Sequence, residues 1–467
     1  MKLEQIYTGC IAHAAYYLES NGEAAIFDPL REVEPYIERA AKDGAVIKYV
    51  FETHFHADFV SGHLDLAART GAQIVYGPTA KPGFEAIVAK DGEEFRVGGQ
   101  IVRLIHTPGH TMESSCYLIT GLFGKDEALI TGDTLFIGDV GRPDLAQHVV
   151  ADLTQEKLAS LLYDSLRNKI MPLPDHLIIY PNHGAGSACG KNMSRETTDT
   201  LGHQKEVNYA LRPDMSREEF ISEVLHGLTT PPGYFPKNVL MNIGGYESID
   251  AVMERGMKPL SAETFRSLAA DDQVLVLDVR QASAYAGGHI PGSLHIGLEG
   301  QFAPWVGALI SDIRQTILLV CEPGREQEAI TRLARVGYDQ CIGYLNGGFP
   351  AWQQSGGPVE TIERVRPAAV ADRMANGAVL LDIRKQSEYE TGHAAEAIHI
   401  PLEYLQQHLA EIPQHKPLLV HCAGGYRSMI AASLLRRLGF RQVADVEGGF
   451  QAMLAEGLPV VSKAEKV

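Results

Sequence analysis

Six residues of metal-ligating type recur through the first half of the chain: His54, His56 and Asp58 in THFHADF, His110 in TPGHT, Asp133 in TGDTLF and His183 in PNHG. Imidazole nitrogens and carboxylate oxygens suit first-row divalent metals, and turns rich in glycine let distant loops converge. Near the other end, PLLVHCAGGYRSM carries a different chemistry. An apolar strand delivers Cys422 into a short loop containing Gly424 and Gly425, and Arg427 stands where a helix begins. Successive backbone N–H groups in such a loop cradle an anion, and the helix N-terminus reinforces them, so the thiolate is favoured.

The elements that must position these groups follow from hydrophobic patterning. IYTGCIAHAAYYLE and EAAIFDPL read as paired strands, and IKYVF, IVRLIH, ALITG and LIIYP as further strands that each end in ligand-type residues. PDMSREEFISEVL predicts a capped helix. The second half is a repeat. VLVLDVRQASAYAGGHIPGSLHI from Val274 matches AVLLDIRKQSEYETGHAAEAIHI from Ala378, with Asp-x-Arg at Asp278 and Asp382, tyrosines at Tyr285 and Tyr389, and Gly-His at His289 and His393. Each copy closes on Gly-Gly-Phe, at 347–349 and 448–450. Strand-like runs alternating with amphipathic stretches predict two α/β domains with parallel sheets. The expected domains are 1–245, 246–360 and 361–467.

Composition bounds the partners. The 467 residues carry a formal charge of −17, which argues against nucleic acid. No stretch reaches transmembrane length and no signal-peptide pattern opens the chain, so a cytoplasmic protein away from membranes is expected. Six scattered cysteines without a CxxC pair fit a reducing compartment. A dimeric or tetrameric homo-oligomer is the expected assembly.

The first-half motifs resemble the metallo-β-lactamase superfamily, which implies an αββα sandwich with metal bound at the sheet edges. The usual HxHxDH motif has a histidine where this chain has Phe59, which disfavours a two-zinc hydrolase and leaves a single-metal reading. Within the superfamily the chain resembles persulfide dioxygenases. That resemblance implies one Fe(II), with zinc as the alternative, held by His54, His110 and Asp133, a facial triad that leaves room for substrate and O2. His56, Asp58 and His183 are then residues that orient ligands, or further metal ligands. Arg142 in GDVGRPDL has two readings, a contact to the substrate's anionic part or a pair with Asp144. Cys189 likewise either relays sulfur near the metal or fills a tight Gly-rich loop.

Cys-x-x-Gly-x-Arg at Cys422 to Arg427 resembles rhodanese sulfurtransferases, in which the cysteine carries sulfur as a persulfide. In the first copy, matching LLVC with LLVH puts Glu322 at the nucleophile position and turns Cys321 back into the sheet, so that copy is expected to be inactive. Together the resemblances imply a persulfide dioxygenase–rhodanese fusion acting on a low-molecular-weight thiol persulfide, O2 and sulfite. It would make sulfite at the metal and thiosulfate at Cys422, in sulfide detoxification. The alternatives are a glyoxalase-II-like zinc thioester hydrolase with an attached sulfurtransferase, and a persulfide-sensing sulfur carrier.

Overall fold

The structure, a computed structural model, describes residues 1–121, 124–145, 153–228 and 230–461. The chain divides into two compact units, residues 1–252 with 331–338, and residues 253–330 with 339–467.

In the first unit, two six-stranded sheets form a sandwich. One runs in sequence order from Lys2–Thr8 to Ile87–Val88, and the other in reverse order from Asp199–Thr200 to Glu94–Val97. The strand His13–Ser20 shows why both faces are buried. Ala14, Tyr16 and Leu18 join Phe51, Tyr117 and Ile130 between the sheets, while the alternate residues Ala15 and Tyr17 pack on the opposite face. Helices cover both outer faces. Tyr36 and Ala40 from Glu34–Asp43, with Leu66 from His63–Thr70, pack on one; Leu162 from Gln155–Ser165 and Phe220 from Arg217–Leu225 pack on the other. Leu66, Leu162 and Phe220 each contribute about 1.5–3 kcal/mol by leaving water. Ser216 and Glu219 close a capping box on Arg217–Leu225, the capped helix the sequence predicts. The αββα expectation holds.

The second unit contains the repeat as two five-stranded sheets of parallel strands with matching order. The first is Pro259–Leu260, Cys341–Leu345, Thr316–Val320, Val274–Asp278 and Leu294–His295. The second is Glu363–Val365, Val443–Val446, Leu418–His421, Val379–Asp382 and Ile398–His399. The repeated Asp-x-Arg pairs are internal struts. Arg280 bonds Asp278 and the Gly288 carbonyl, and Arg384 bonds Asp382 and the Gly392 carbonyl. The repeated histidines stack on the repeated tyrosines, His289 on Tyr285 and His393 on Tyr389.

The ladder register corrects the sequence alignment of the two copies. Asp278 lies opposite Val320, and its counterpart Asp382 lies opposite His421. Val320 therefore corresponds to His421, and Cys321 to Cys422. Three residues on, Gly324 and Gly425 both take positive φ, +91° and +99°. Gly348 and Gly449 closely approach the Cys321 and Cys422 carbonyls, leaving no room for a Cβ. Glu322 thus follows the nucleophile position and does not occupy it. The two Leu-Leu-Val runs invited a match that is off by one residue, because the strand in the first copy ends in Val where the second ends in His. Among the described residues no helix is long and apolar enough to cross a membrane.

Candidate functional site

The loop after Val46–Phe51 carries His54, His56 and Asp58, all buried. Asp133 follows the strand Asp126–Gly132, whose last residue has φ +53°. A Cβ on Gly132 would lie 2.7 Å from Thr53, so glycine is what lets the two loops meet. His54 Nε2 and His110 Nε2 stand 3.9 and 3.4 Å from Asp133 Oδ2. Both Asp133 carboxylate oxygens are buried with no hydrogen-bond partner among the described residues, a costly arrangement unless a cation satisfies them.

The histidines are oriented for ligation. His110 Nδ1 lies 2.8 Å from the Arg142 carbonyl, which can only accept, so Nδ1 carries the proton and Nε2 presents its lone pair. His183 Nδ1 donates in the same way to Ala12 O at 3.1 Å. Its Nε2, without a hydrogen-bond partner among the described residues, faces Asp58 at 3.5 Å and Asp133 at 3.6 Å. Burial, and then the neighbouring imidazoles of His56, His110 and His183, holds the His54 pKa well below the usual histidine range, so His54 is neutral and able to ligate.

Among the described residues, three groups of side chains could hold a metal: His54, His110 and Asp133; Asp58, His183 and Cys189; and Asp28, Glu52 and His56, each with ligand atoms within 4.8 Å of one another. The first is the set the sequence singles out. The third is a hydrogen-bonded scaffold. His56 Nε2 donates to Asp28 Oδ1 at 2.9 Å and stands 3.4 Å from Glu52. Burial opposes its charge, but the two carboxylates raise its pKa well above the usual value. Burial pushes the Glu52 carboxyl up to about 7. Asp28 also accepts from the Thr53 N–H and the Asn182 side chain at 2.7 and 2.8 Å, so it ties the loops of both sheets together.

Phe59 packs between His13 and His56, with ring centroids at 4.2 and 4.3 Å, and offers no donor. A second donor group is nevertheless present, because Cys189 joins Asp58 and His183. A single metal therefore does not follow from Phe59 alone. Cys189 is buried, and burial together with the charges of Asp58 and Asp133 pushes its thiol well up. Arg142 is buried too. Its guanidinium forms a bidentate pair with Asp144 at 2.7 Å and reaches the Ala188 carbonyl, while its own backbone bonds both His110 and Cys189. Of its two readings, the pair with Asp144 is the one observed, and Arg142 holds the loops on either side of the centre.

Sequence reasoning missed His13, Asp28, Glu52 and Asn242. Asn242, on the helix Phe235–Gly244, donates to the His56 and Phe59 carbonyls at 2.8 Å and accepts from the Ser61 N–H. No motif marks these residues. The only signal is polar type in otherwise apolar surroundings, as at Asp28 in AAIFDPL.

In the second unit, Cys422 is buried at the base of its loop, where Sγ accepts the Gly425 N–H at 3.1 Å and lies 3.7 Å from Ser428 Oγ. Ser428 in turn donates to Asp445 at 2.6 Å. Arg427 opens the helix Tyr426–Arg437 and makes a bidentate pair with Glu388 at 2.6 and 2.8 Å. Burial would raise the Glu388 pKa, yet the guanidinium holds it below the usual carboxylate range. Gly424 lines the cavity over the thiol, with open space where a Cβ would stand. The first copy has Pro323 in place of Gly424, Glu326 in place of Arg427 and Ala284 in place of Glu388. Its cradle lacks one N–H and has the wrong charge. Burial, followed by Cys341, Glu326, Asp278 and Glu322, pushes the Cys321 thiol well above its usual range. The paired loss of Arg427 and Glu388 was visible on comparing the copies and identifies Glu388 as the partner that sequence reasoning overlooked.

Residues 8–183 match the metallo-beta-lactamase superfamily, and residues 261–355 and 366–456 match the rhodanese-like domain. A solved metallo-beta-lactamase from Staphylococcus aureus subsp. aureus COL is 30% identical, covering 74% of this chain and 99% of its own, with a TM-score of 0.64. ETHE1 from Myxococcus xanthus is 27% identical over 52% of this chain and 99% of its own, with a TM-score of 0.44. A hydroxyacylglutathione hydrolase from Rhizobium etli is 36% identical over 169 residues, which is 35% of this chain and 58% of the relative. This chain covers less than two thirds of the length of such curated relatives. The protein belongs to the metallo-β-lactamase superfamily, and its metal-binding fold is followed by two rhodanese-like domains.

Proposed function

We propose that the protein is a persulfide dioxygenase coupled to a sulfurtransferase. The observation that carries this reading is the pairing, in one chain, of a two-histidine, one-carboxylate centre with a cysteine loop of rhodanese type. The overall reaction at the first site is R–S–SH + O2 + H2O giving R–SH and sulfite. Fe(II), held by His54, His110 and Asp133, would supply the redox chemistry that zinc lacks. The chain's own work is to fix the imidazole tautomers through the Arg142 and Thr53 hydrogen bonds and to set the Asp133 carboxylate beside them. At the second site the Cys422 thiolate attacks the outer sulfur of a persulfide, and the S–S bond breaks with its electron pair on the departing R–S⁻. Sulfite then takes that sulfur as thiosulfate and regenerates the thiolate. The partners are thus a small thiol persulfide, O2 and sulfite.

Metal analysis of anaerobically purified protein with an oxygen-electrode assay tests this. Iron with persulfide-dependent oxygen uptake is expected, and both should be lost in Asp133→Ala. Two zinc ions with thioesterase activity and no oxygen uptake would replace it with a second reading. That reading, a zinc thioester hydrolase, is favoured by the donor group Asp58, His183 and Cys189 and by the likeness to hydroxyacylglutathione hydrolases.

A further inference from the structure

The cavity over Cys422, about 460 Å³, is lined by both rhodanese-like copies. Cys422, Lys385, Glu388 and Arg427 come from the second, but Gln301 and Trp305 come from the helix start and helix Phe302–Leu309 of the first. That wall is tied to the catalytic loop. The Tyr426 hydroxyl donates to the Gly297 carbonyl at 2.7 Å, and the Tyr426 ring lies 2.6 Å from where a Gly300 Cβ would stand, so only glycine permits the contact. The Ser433 hydroxyl, on the Cys422 helix, accepts the His295 N–H on the edge strand of the first copy. Trp305 is thus held at a fixed place beside the thiol.

We infer that the first copy, its own cradle disabled, serves as the substrate-selecting wall of its neighbour. On it rests the organic body of an anionic thiol persulfide, such as a small peptide persulfide. This rests on the sulfur-transfer reading of Cys422. A cavity of this size belongs to the range that encloses an organic ligand. The Trp305 indole offers a flat apolar face to the body of the thiol. Exposed Lys385 offers a cation to its carboxylate. Arg427, paired with Glu388, is committed to the cradle. The step needs no further reactant: Cys–S⁻ and R–S–SH give Cys–S–SH and R–S⁻. Thiosulfate, which has no organic body, reaches only the loop.

The test is persulfide formation on Cys422 in the full chain, followed by mass spectrometry without oxygen, with glutathione persulfide and thiosulfate as alternative donors. Trp305→Ala should lower kcat/KM for glutathione persulfide roughly tenfold, through KM, and that for thiosulfate by no more than about twofold. Trp305→Phe should recover most of the loss. Gln301→Ala, at an exposed position of the first copy, should shift the donor ratio the same way and carries the test if Trp305→Ala does not fold. Equal losses with both donors, or no loss with glutathione persulfide in the folded variants, would overturn the inference alone. Absence of sulfur on Cys422 in the parent chain with either donor would overturn the sulfur-transfer reading and this inference with it.

Discussion

The two rhodanese-like copies share strand order, ladder register and even the positive-φ glycine of the loop, yet their cysteines meet different surroundings. Both hold a cysteine at the same place, so the difference does not lie in the backbone or in the presence of sulfur. It lies in what surrounds the thiol. Around Cys422 an N–H points at Sγ, and an arginine is fixed by a glutamate. Around Cys321, Pro323 withholds an N–H and Glu322 and Glu326 supply negative charge. One frame thus surrounds two cysteines differently, and residues of the first copy line the cavity over the cysteine of the second.

The sharpest way to break this contrast is Cys422→Ser. Thiosulfate formation should fall by at least about a thousandfold, since a hydroxyl forms no persulfide, while oxygen uptake continues and sulfite accumulates. Quantifying both products by ion chromatography checks it; persisting thiosulfate would mean Cys321 can substitute. Next in size is Arg427→Ala, which removes a cradle cation and strands Glu388. Sulfur-transfer kcat/KM should drop by about a hundredfold. The contrast can also be narrowed from the other side. Pro323→Gly with Glu326→Arg should speed alkylation of Cys321 at neutral pH several-fold and move the midpoint of its rate against pH downward. An unmoved midpoint would show that burial alone silences it.

The smallest effect concerns Asp445, whose carboxyl burial raises to about 6 despite its bonds to Ser428 and Arg364. Because the folded state binds this proton more tightly than the unfolded chain, its contribution to stability is fully present below the ordinary aspartate range. It is lost as pH rises through about 6. Asp445→Asn should therefore flatten the change in stability between about pH 4 and 6 by on the order of 3 kcal/mol, measured by denaturant titration.

Much of this was legible beforehand, for physical reasons. Ligand-type residues at the ends of apolar runs, as at His54 and Asp133, advertise loops at one sheet edge, and the repeat advertised two matching domains. What escaped notice was of two kinds. His13, Asp28 and Asn242 act one at a time from distant positions, and only folding brings Asn242 to the His56 carbonyl, 186 residues away. The register of the first copy was misjudged because alignment follows residue likeness, whereas the sheet follows backbone hydrogen bonds. Val320 pairs where His421 pairs, although they share no side-chain chemistry.

The most direct test of the whole account is to supply the iron-loaded protein with glutathione persulfide and measure the oxygen consumed against the products formed. The account predicts one O2 taken up for each sulfite released by Cys422→Ser, and one O2 for each thiosulfate and every two persulfides consumed by the parent chain. Product formed without oxygen uptake, alongside hydrolysis of a glutathione thioester by the same preparation, would contradict it.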